Sequence, residues 1–210
     1  MNVAAWRERH EAVATSLELR RFTYREVLEM ERAGIIDGDQ HVELLDGQLV
    51  VMTIHPPHAA AVTHLARRFQ RALGDHAQVV VQDPLRLSDD LNDMNLPQPD
   101  LMLVADPERV YADHPRPGDV YLLVEVSDTT LAKDRLVKLP LYAAHAIPEV
   151  WIVNLVDRQI EIHTRPHGEE FLTRTTEPLT GRFAPQHFPA VPQQWLPAAL
   201  LDLLHQESAR

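Results

Sequence analysis

The 210-residue chain contains no cysteine. That excludes disulfides, thiolate zinc sites, iron–sulfur clusters and thiol nucleophiles, and leaves oxygen and histidine as the donors for any metal. Glycine is scarce too, at seven residues, and neither a phosphate-cradling glycine loop nor a GxSxG nucleophile elbow is present. Long apolar runs are missing. Nothing approaches the roughly 20 residues of a membrane span, and the opening MNVAAWRERHEAVATS lacks the apolar stretch of a signal peptide. The resulting expectation is a cytoplasmic protein without membrane attachment. Positive charge is in deficit: the net charge of −11 argues against a general polyanion-binding surface, because phosphate contacts need clustered Lys and Arg. Basic residues gather locally, at Arg7, Arg9, Arg20, Arg21 and Arg25 and again at Arg67, Arg68 and Arg71; both groups read most simply as solvated helix faces.

What is present is the composition of a packed globular domain, with 45% hydrophobic and 24% charged residues. No repeat, low-complexity tract or Gly/Ser linker divides the chain, so 1–210 reads as one domain, with about 1–16 as an N-terminal extension and about 184–210 as a C-terminal arm and helix. FTYREVLEMERAG carries a capping box, Thr23 with Glu26, and ends at Gly34, which predicts a helix. HVELLDGQLVVM predicts two strands around an Asp46-Gly47 turn. After Pro56-Pro57, the spacing of Ala61, Leu65, Phe69 and Leu73 predicts an amphipathic helix stopped by Gly74. VVVQDPLRL, LMLVA and VYLLVEV predict strands, the first two separated by the polar loop SDDLNDMNLPQ. A helical pattern then runs from about Lys133 to His145 with Pro140 inside it, which predicts a kink or a late start. PEVWIVNL, RQIEIHT and EFLTRTT predict a β-meander, and PQHFPAVPQQWLPAALLDLL an arm leading into a terminal helix. Strands and helices intermix without regular alternation, so the expected fold is mixed α/β, a central mixed sheet flanked by helices.

Three carboxylates sit in or beside apolar strands: Glu43 in HVELL, Asp100 in QPDLMLV and Glu125 in VYLLVEV. A buried carboxylate costs several kcal/mol unless paired, protonated or metal-bound. Convergence on one hard cation accounts for all three economically, since Mg²⁺ or Mn²⁺ prefers carboxylate, carbonyl and water oxygens. Lys138 is the candidate partner cation; its simpler reading is an i,i+4 surface pair with Asp134. His58 opens a helix after Pro57 and suits an accessory role, binding a phosphate or helping to position the site, with helix capping or packing as its plainer alternative. His58 and His64 lie at i,i+6 on different faces, which argues against a paired zinc site. Trp151 and Trp195 read as packing residues, in the core and under the arm.

On HVELLDGQLVVM followed by Pro57-His58, Gln98-Pro99-Asp100, VEVSDTTLAKDRLVKLPLYA and IPEVWIVNL, the sequence resembles the Uma2 family. That family is a bacterial branch of the PD-(D/E)XK restriction-endonuclease-like superfamily, and the resemblance spans roughly residues 20–205. No single motif is specific; their order and strand contexts together are. The resemblance implies a restriction-endonuclease-like fold, a divalent-metal site and hydrolysis of nucleic acid, with DNA the expected substrate and a homodimer compatible with the related folds. By position it makes Glu43 the accessory acid, Asp100 the PD aspartate, Glu125 the strand glutamate and Lys138 the lysine displaced onto the following helix. Asp100 and Glu125 would hold the metal with the carbonyl of Val126, and His58 and Asp134 would be accessory. Where the superfamily places lysine two residues after the strand glutamate, on the same strand face, this chain has Ser127. Family members also usually have glycine before the IPEVWIV strand, where this chain has His145-Ala146, so the end of the Lys138 helix is expected to be built differently. Two alternatives stand beside the nuclease reading: a non-catalytic binding or assembly module of the same fold, and a metallohydrolase of a small phosphoester.

Overall fold

The computed structural model describes residues 19–37, 41–105, 111, 113–180 and 184–186. The first helix, α1 (Tyr24–Arg32), starts at the predicted capping box: the Thr23 hydroxyl accepts from Glu26 N–H and Glu26 accepts from Thr23 N–H at 2.9 Å. Strands β1 (Val42–Leu45) and β2 (Gln48–Val51) pair antiparallel around Asp46-Gly47. Both turn residues have positive φ, 49° and 72°, as a two-residue hairpin turn requires. Gly47 has a second reason to be glycine, since a Cβ there would lie 2.5 Å from the Arg21 Cβ. Helix α2 (Pro56–Leu73) takes both prolines into its first turn, where their missing N–H groups would have had no helical acceptor, and ends at Gly74. Arg67 and Arg71 lie on its exposed face.

Strand β3 (Gln78–Val81) is shorter than VVVQDPLRL predicts. Gln82 adopts φ 48° and Pro84 follows, so the ladder stops at Val81. Strands β4 (Leu101–Val104), β5 (Val120–Ser127), β6 (Glu149–Asn154), β7 (Gln159–His167) and β8 (Glu170–Pro178) complete a six-stranded sheet in chain order. The β5–β6 pair is parallel and the others are antiparallel. The expected mixed central sheet is therefore present, with β5 well inside it. The β1–β2 hairpin is a separate sheet, joined to the body by a bridge between Leu44 and Leu96.

The β5–β6 crossover is helical in three parts: α3 (Leu131–Lys133), a π-helical turn over Asp134–Lys138, and α4 (Leu139–Ala144). Pro140 sits in the first turn of α4, the late start that was one of the two expectations, and the chain ahead of it widens, with Leu139 N–H reaching back to Asp134 O. The end of α4 corrects the expectation of a different construction. Ala146 N–H bonds Ala143 O at 2.9 Å and Ile147 N–H bonds Tyr142 O at 3.1 Å, with Ala146 at φ 56°. This is the Schellman arrangement that glycine usually completes, built here with alanine.

The sheet is covered on both faces. Leu65 and Phe69 of α2 pack on Leu101, Leu122, Val124, Trp151 and Val153, and Tyr142 and Ile147 pack on Met102, Leu123 and Val150 opposite. Trp151 is fully buried, 5.9 Å from the Phe69 ring centroid, in the packing role its sequence context suggests. The predicted C-terminal helix, Trp195, and Arg7 and Arg9 lie outside the described residues.

Candidate functional site

Alternation along β5 sends Leu123, Glu125 and Ser127 to the face covered by α3 and α4. Asp100 immediately precedes β4, whose Leu101 pairs with Val124, so it arrives beside the end of β5. There the Val126 N–H has outrun the β4 ladder and donates to Asp100 Oδ2 at 2.8 Å. The His58 imidazole, from the first turn of α2, meets the same oxygen at 3.1 Å, and Gln82 Nε2 donates to Oδ1 at 3.3 Å. His58 Nδ1 is buried with no hydrogen-bond partner among the described residues.

Glu43 comes from the separate hairpin, yet it too is brought in. Lys138 Nζ lies 2.6 Å from Glu43 Oε1, 2.7 Å from Glu125 Oε1 and 3.2 Å from the Gln98 carbonyl, with 1% of its side chain exposed. The i,i+4 surface pair with Asp134 is therefore not its role. Asp134 accepts instead from the hydroxyls of Ser127 and Thr130, both at 2.7 Å. The strand position where a lysine would have stood thus holds a serine that anchors the crossover helix. Glu43 is further tied by Gln98 N–H at 3.0 Å and by Lys133 Nζ on Oε2 at 2.7 Å. The Tyr142 hydroxyl donates to Glu125 Oε1 at 2.5 Å.

Electrostatics follow from this crowding. Burial raises the Glu125 carboxyl, and Asp134, Asp100 and Glu43 add to the rise against the opposing pull of Lys138, which together leave it at about 8. For Glu43 burial also acts upward, but the ammonium groups of Lys138 and Lys133 outweigh it and hold the pKa below the ordinary value. Burial acts to lower the Lys138 pKa, and Glu125 and Glu43 outweigh it, holding the ammonium well above its ordinary value. Burial likewise lowers His58, and its bond to Asp100 more than restores it.

Glu43, Asp100, Glu125, Lys138, His58 and Asp134 are thus brought together. All except the walled-in Glu43 line a cleft of about 230 Å³ closed on one side by residues 50–55. Among the described residues no three Asp, Glu or His side chains form a ready-made metal cage. The donor chemistry is nonetheless that of a hard cation held by few protein ligands: Asp100 and Glu125 offer carboxylate oxygen at the cleft, and Mg²⁺ is commonly bound through one or two carboxylates with waters completing the octahedron. Glu43 has its oxygens on two lysines and a backbone N–H and is placed to brace the site from outside. The sequence reading missed Lys133, Tyr142 and Gln98. Tyr142 had a visible signal, a tyrosine four residues after Lys138 on a helix facing an acidic strand.

The sequence model of one family, described as "Uma2: Putative restriction endonuclease", matches residues 24–199. Comparison with curated proteins finds no match. Among solved structures, one described as "a putative nuclease belonging to DUF820" from Anabaena variabilis ATCC 29413 superposes with a TM-score of 0.63. At 10% identity it covers 88% of this chain and 98% of its own. That likeness is one of fold.

Proposed function

The chain belongs to the Uma2 family, and from that premise we propose that its cleft is the active site of a divalent-metal-dependent nuclease hydrolysing phosphodiester bonds in nucleic acid, DNA foremost. The observation that carries the reading is the convergence, at the end of the central strand, of Asp100 and Glu125 on a cleft, with Lys138 bridging Glu125 to Glu43. Asp100 and Glu125 would hold Mg²⁺ or Mn²⁺, with the Val126 carbonyl as a third oxygen. Such an ion, when bound, polarises the phosphoryl oxygen and lowers the pKa of a coordinated water. The chain's own residues do the rest. Val126 N–H and His58 fix the Asp100 carboxylate, and Tyr142 and Lys138 fix Glu125. Lys138 is the residue assigned to orient the attacking water, on release of one of its present acceptors.

Asp100→Ala and Glu125→Ala are each expected to abolish Mg²⁺- or Mn²⁺-dependent nicking while circular dichroism stays that of the wild type. A wild-type protein inactive on single-stranded, duplex and structured substrates with both metals would sink the proposal. A binding or assembly module is the second reading, favoured by the saturated contacts of Lys138 and the net charge of −11. Calorimetric titration with Mn²⁺ separates the two, because such a module has no need of a metal at Asp100 and Glu125.

A further inference from the structure

The two lysines on Glu43 are not equivalent. An ammonium group has three N–H donors, and Lys138 has three protein oxygens around its Nζ, the ion-paired Glu43 and Glu125 at 2.6 and 2.7 Å and the hydrogen-bonded Gln98 carbonyl at 3.2 Å. It is enclosed, with 1% of its side chain exposed. Lys133 has one hydrogen-bond partner among the described residues, Glu43 Oε2 at 2.7 Å. Its side chain is 22% exposed and it lines the cleft. Two donors of Lys133 therefore remain for whatever enters.

Helix geometry explains how both lysines reach one carboxylate. Five residues apart on an α-helix they would point about 140° away from each other. The π-helical turn over Asp134–Lys138 closes its hydrogen bonds at five-residue spacing and brings positions 133 and 138 towards one side. The turn thereby gives the acidic site a second cation, set at its mouth, where Lys138 occupies its floor.

We infer that Lys133 is the residue of this chain that contacts the substrate phosphate, donating to a non-bridging oxygen of a nucleic-acid phosphodiester in the cleft while Glu43 holds its ammonium in place. The inference rests on the nuclease reading and adds a substrate contact to it. A lysine is suited to this as a compact charge with donors to spare. Beside Asp100, Glu125, Asp128 and Asp134, all lining the cleft, it is also the cation best placed to offset repulsion of an incoming polyanion.

The test is equilibrium binding of fluorescein-labelled duplex and single-stranded DNA in Ca²⁺ across a salt series, with cleavage in Mg²⁺ or Mn²⁺ followed in parallel. Removing one phosphate contact lowers the magnitude of the slope of log K against log[salt] by about 0.9 on duplex or about 0.7 on single strands. Lys133→Met is expected to show that loss of slope with weaker binding, and to slow cleavage roughly a hundredfold. Lys133→Arg should retain the slope. The double variant Glu43→Gln/Lys133→Met separates a phosphate contact from mere neutralisation of Glu43: it stays deficient in slope if Lys133 meets phosphate. Recovery of wild-type binding and slope in the double variant, or an unchanged slope in Lys133→Met that circular dichroism shows to be folded at the assay temperature, overturns the assignment while leaving the nuclease reading intact. Wild-type protein that neither binds nor cuts DNA overturns both.

Discussion

Lys138 holds the acidic site together from inside, and its removal separates bracing from chemistry. With its ammonium against Glu43, Glu125 and the Gln98 carbonyl, Lys138→Met would leave buried Glu125 without its cation and Glu43 with Lys133 alone. Breaking a buried ion pair from one side costs about 3–5 kcal/mol; protonation of Glu125, already raised to about 8, relieves part of this, so about 3 kcal/mol is expected in urea unfolding. Lys133→Met, at the partly exposed end of the same carboxylate, should cost roughly 1 kcal/mol. Equal losses for the two would contradict the division of labour between them. Strand carboxylates drew attention to Glu43, Asp100 and Glu125, but Glu149 and Glu161 are equally buried in strands and lie outside the cleft. Glu161 is satisfied by Arg135 Nε at 3.0 Å and Arg174 at 3.1 Å, partners that come from other elements. Burial of a strand carboxylate signals a need for a partner, and only tertiary structure tells a salt bridge from a site.

At the scale of elements, the features legible in sequence are those fixed by local chemistry. Thr23 with Glu26 starts α1, Asp46-Gly47 turns the hairpin, and Gly74 ends α2, each where the residue pattern places it. The π-helical turn was not legible, because its hydrogen-bond register depends on Pro140 and on the burial of Asp134 and Lys138 against other elements. Lys133 was missed for the same reason: α-helical periodicity puts it off the Lys138 face. The end of α4 shows what local chemistry does when the preferred residue is absent. Ala146 is held at φ 56° by the two Schellman bonds, a conformation that costs a side-chain-bearing residue roughly 1–2 kcal/mol. Glycine there would avoid that strain and lose part of the gain to its freer unfolded chain. Ala146→Gly is therefore expected to stabilise the protein by roughly 0.5–1 kcal/mol, seen as a melting temperature about 1–3 °C higher. A lower melting temperature would mean that the alanine methyl packs to more effect than its φ suggests.

For the whole molecule, the mixed sheet followed from the order of strand and helix patterns, while the detachment of the β1–β2 hairpin as its own sheet did not, since pairing partners across 50 residues leave no local mark. That hairpin reaches the site through Leu44–Leu96, the ties on Glu43 and the cleft-lining Val50 and Val51, so one end of the cleft is braced by contacts distant in sequence. A different long-range tie couples the stability of the whole fold to pH. Glu149 opens β6, buried, with Oε1 accepting from the Trp151 indole at 2.6 Å and Oε2 from the Gln186 N–H at 2.8 Å. Burial raises its pKa above the ordinary 4.5, and the bonds from Gln186 and Trp151 offset this only in part. Below pH 4.5 the folded and unfolded states both carry the proton and the contribution of Glu149 to stability is complete. As pH rises from there through the folded-state value, the unfolded chain releases the proton more readily, so this contribution is lost. Glu149→Gln removes the titration. Whatever constant cost its amide brings opposite the Gln186 N–H, the difference between the two proteins varies with pH only through Glu149. The melting temperature of Glu149→Gln should therefore gain on that of the wild type as pH is raised above 4.5 and level off once the folded-state pKa is passed. Parallel profiles through that window would show that Glu149 titrates normally in the fold, and with it that the Gln186 and Trp151 bonds fully compensate its burial.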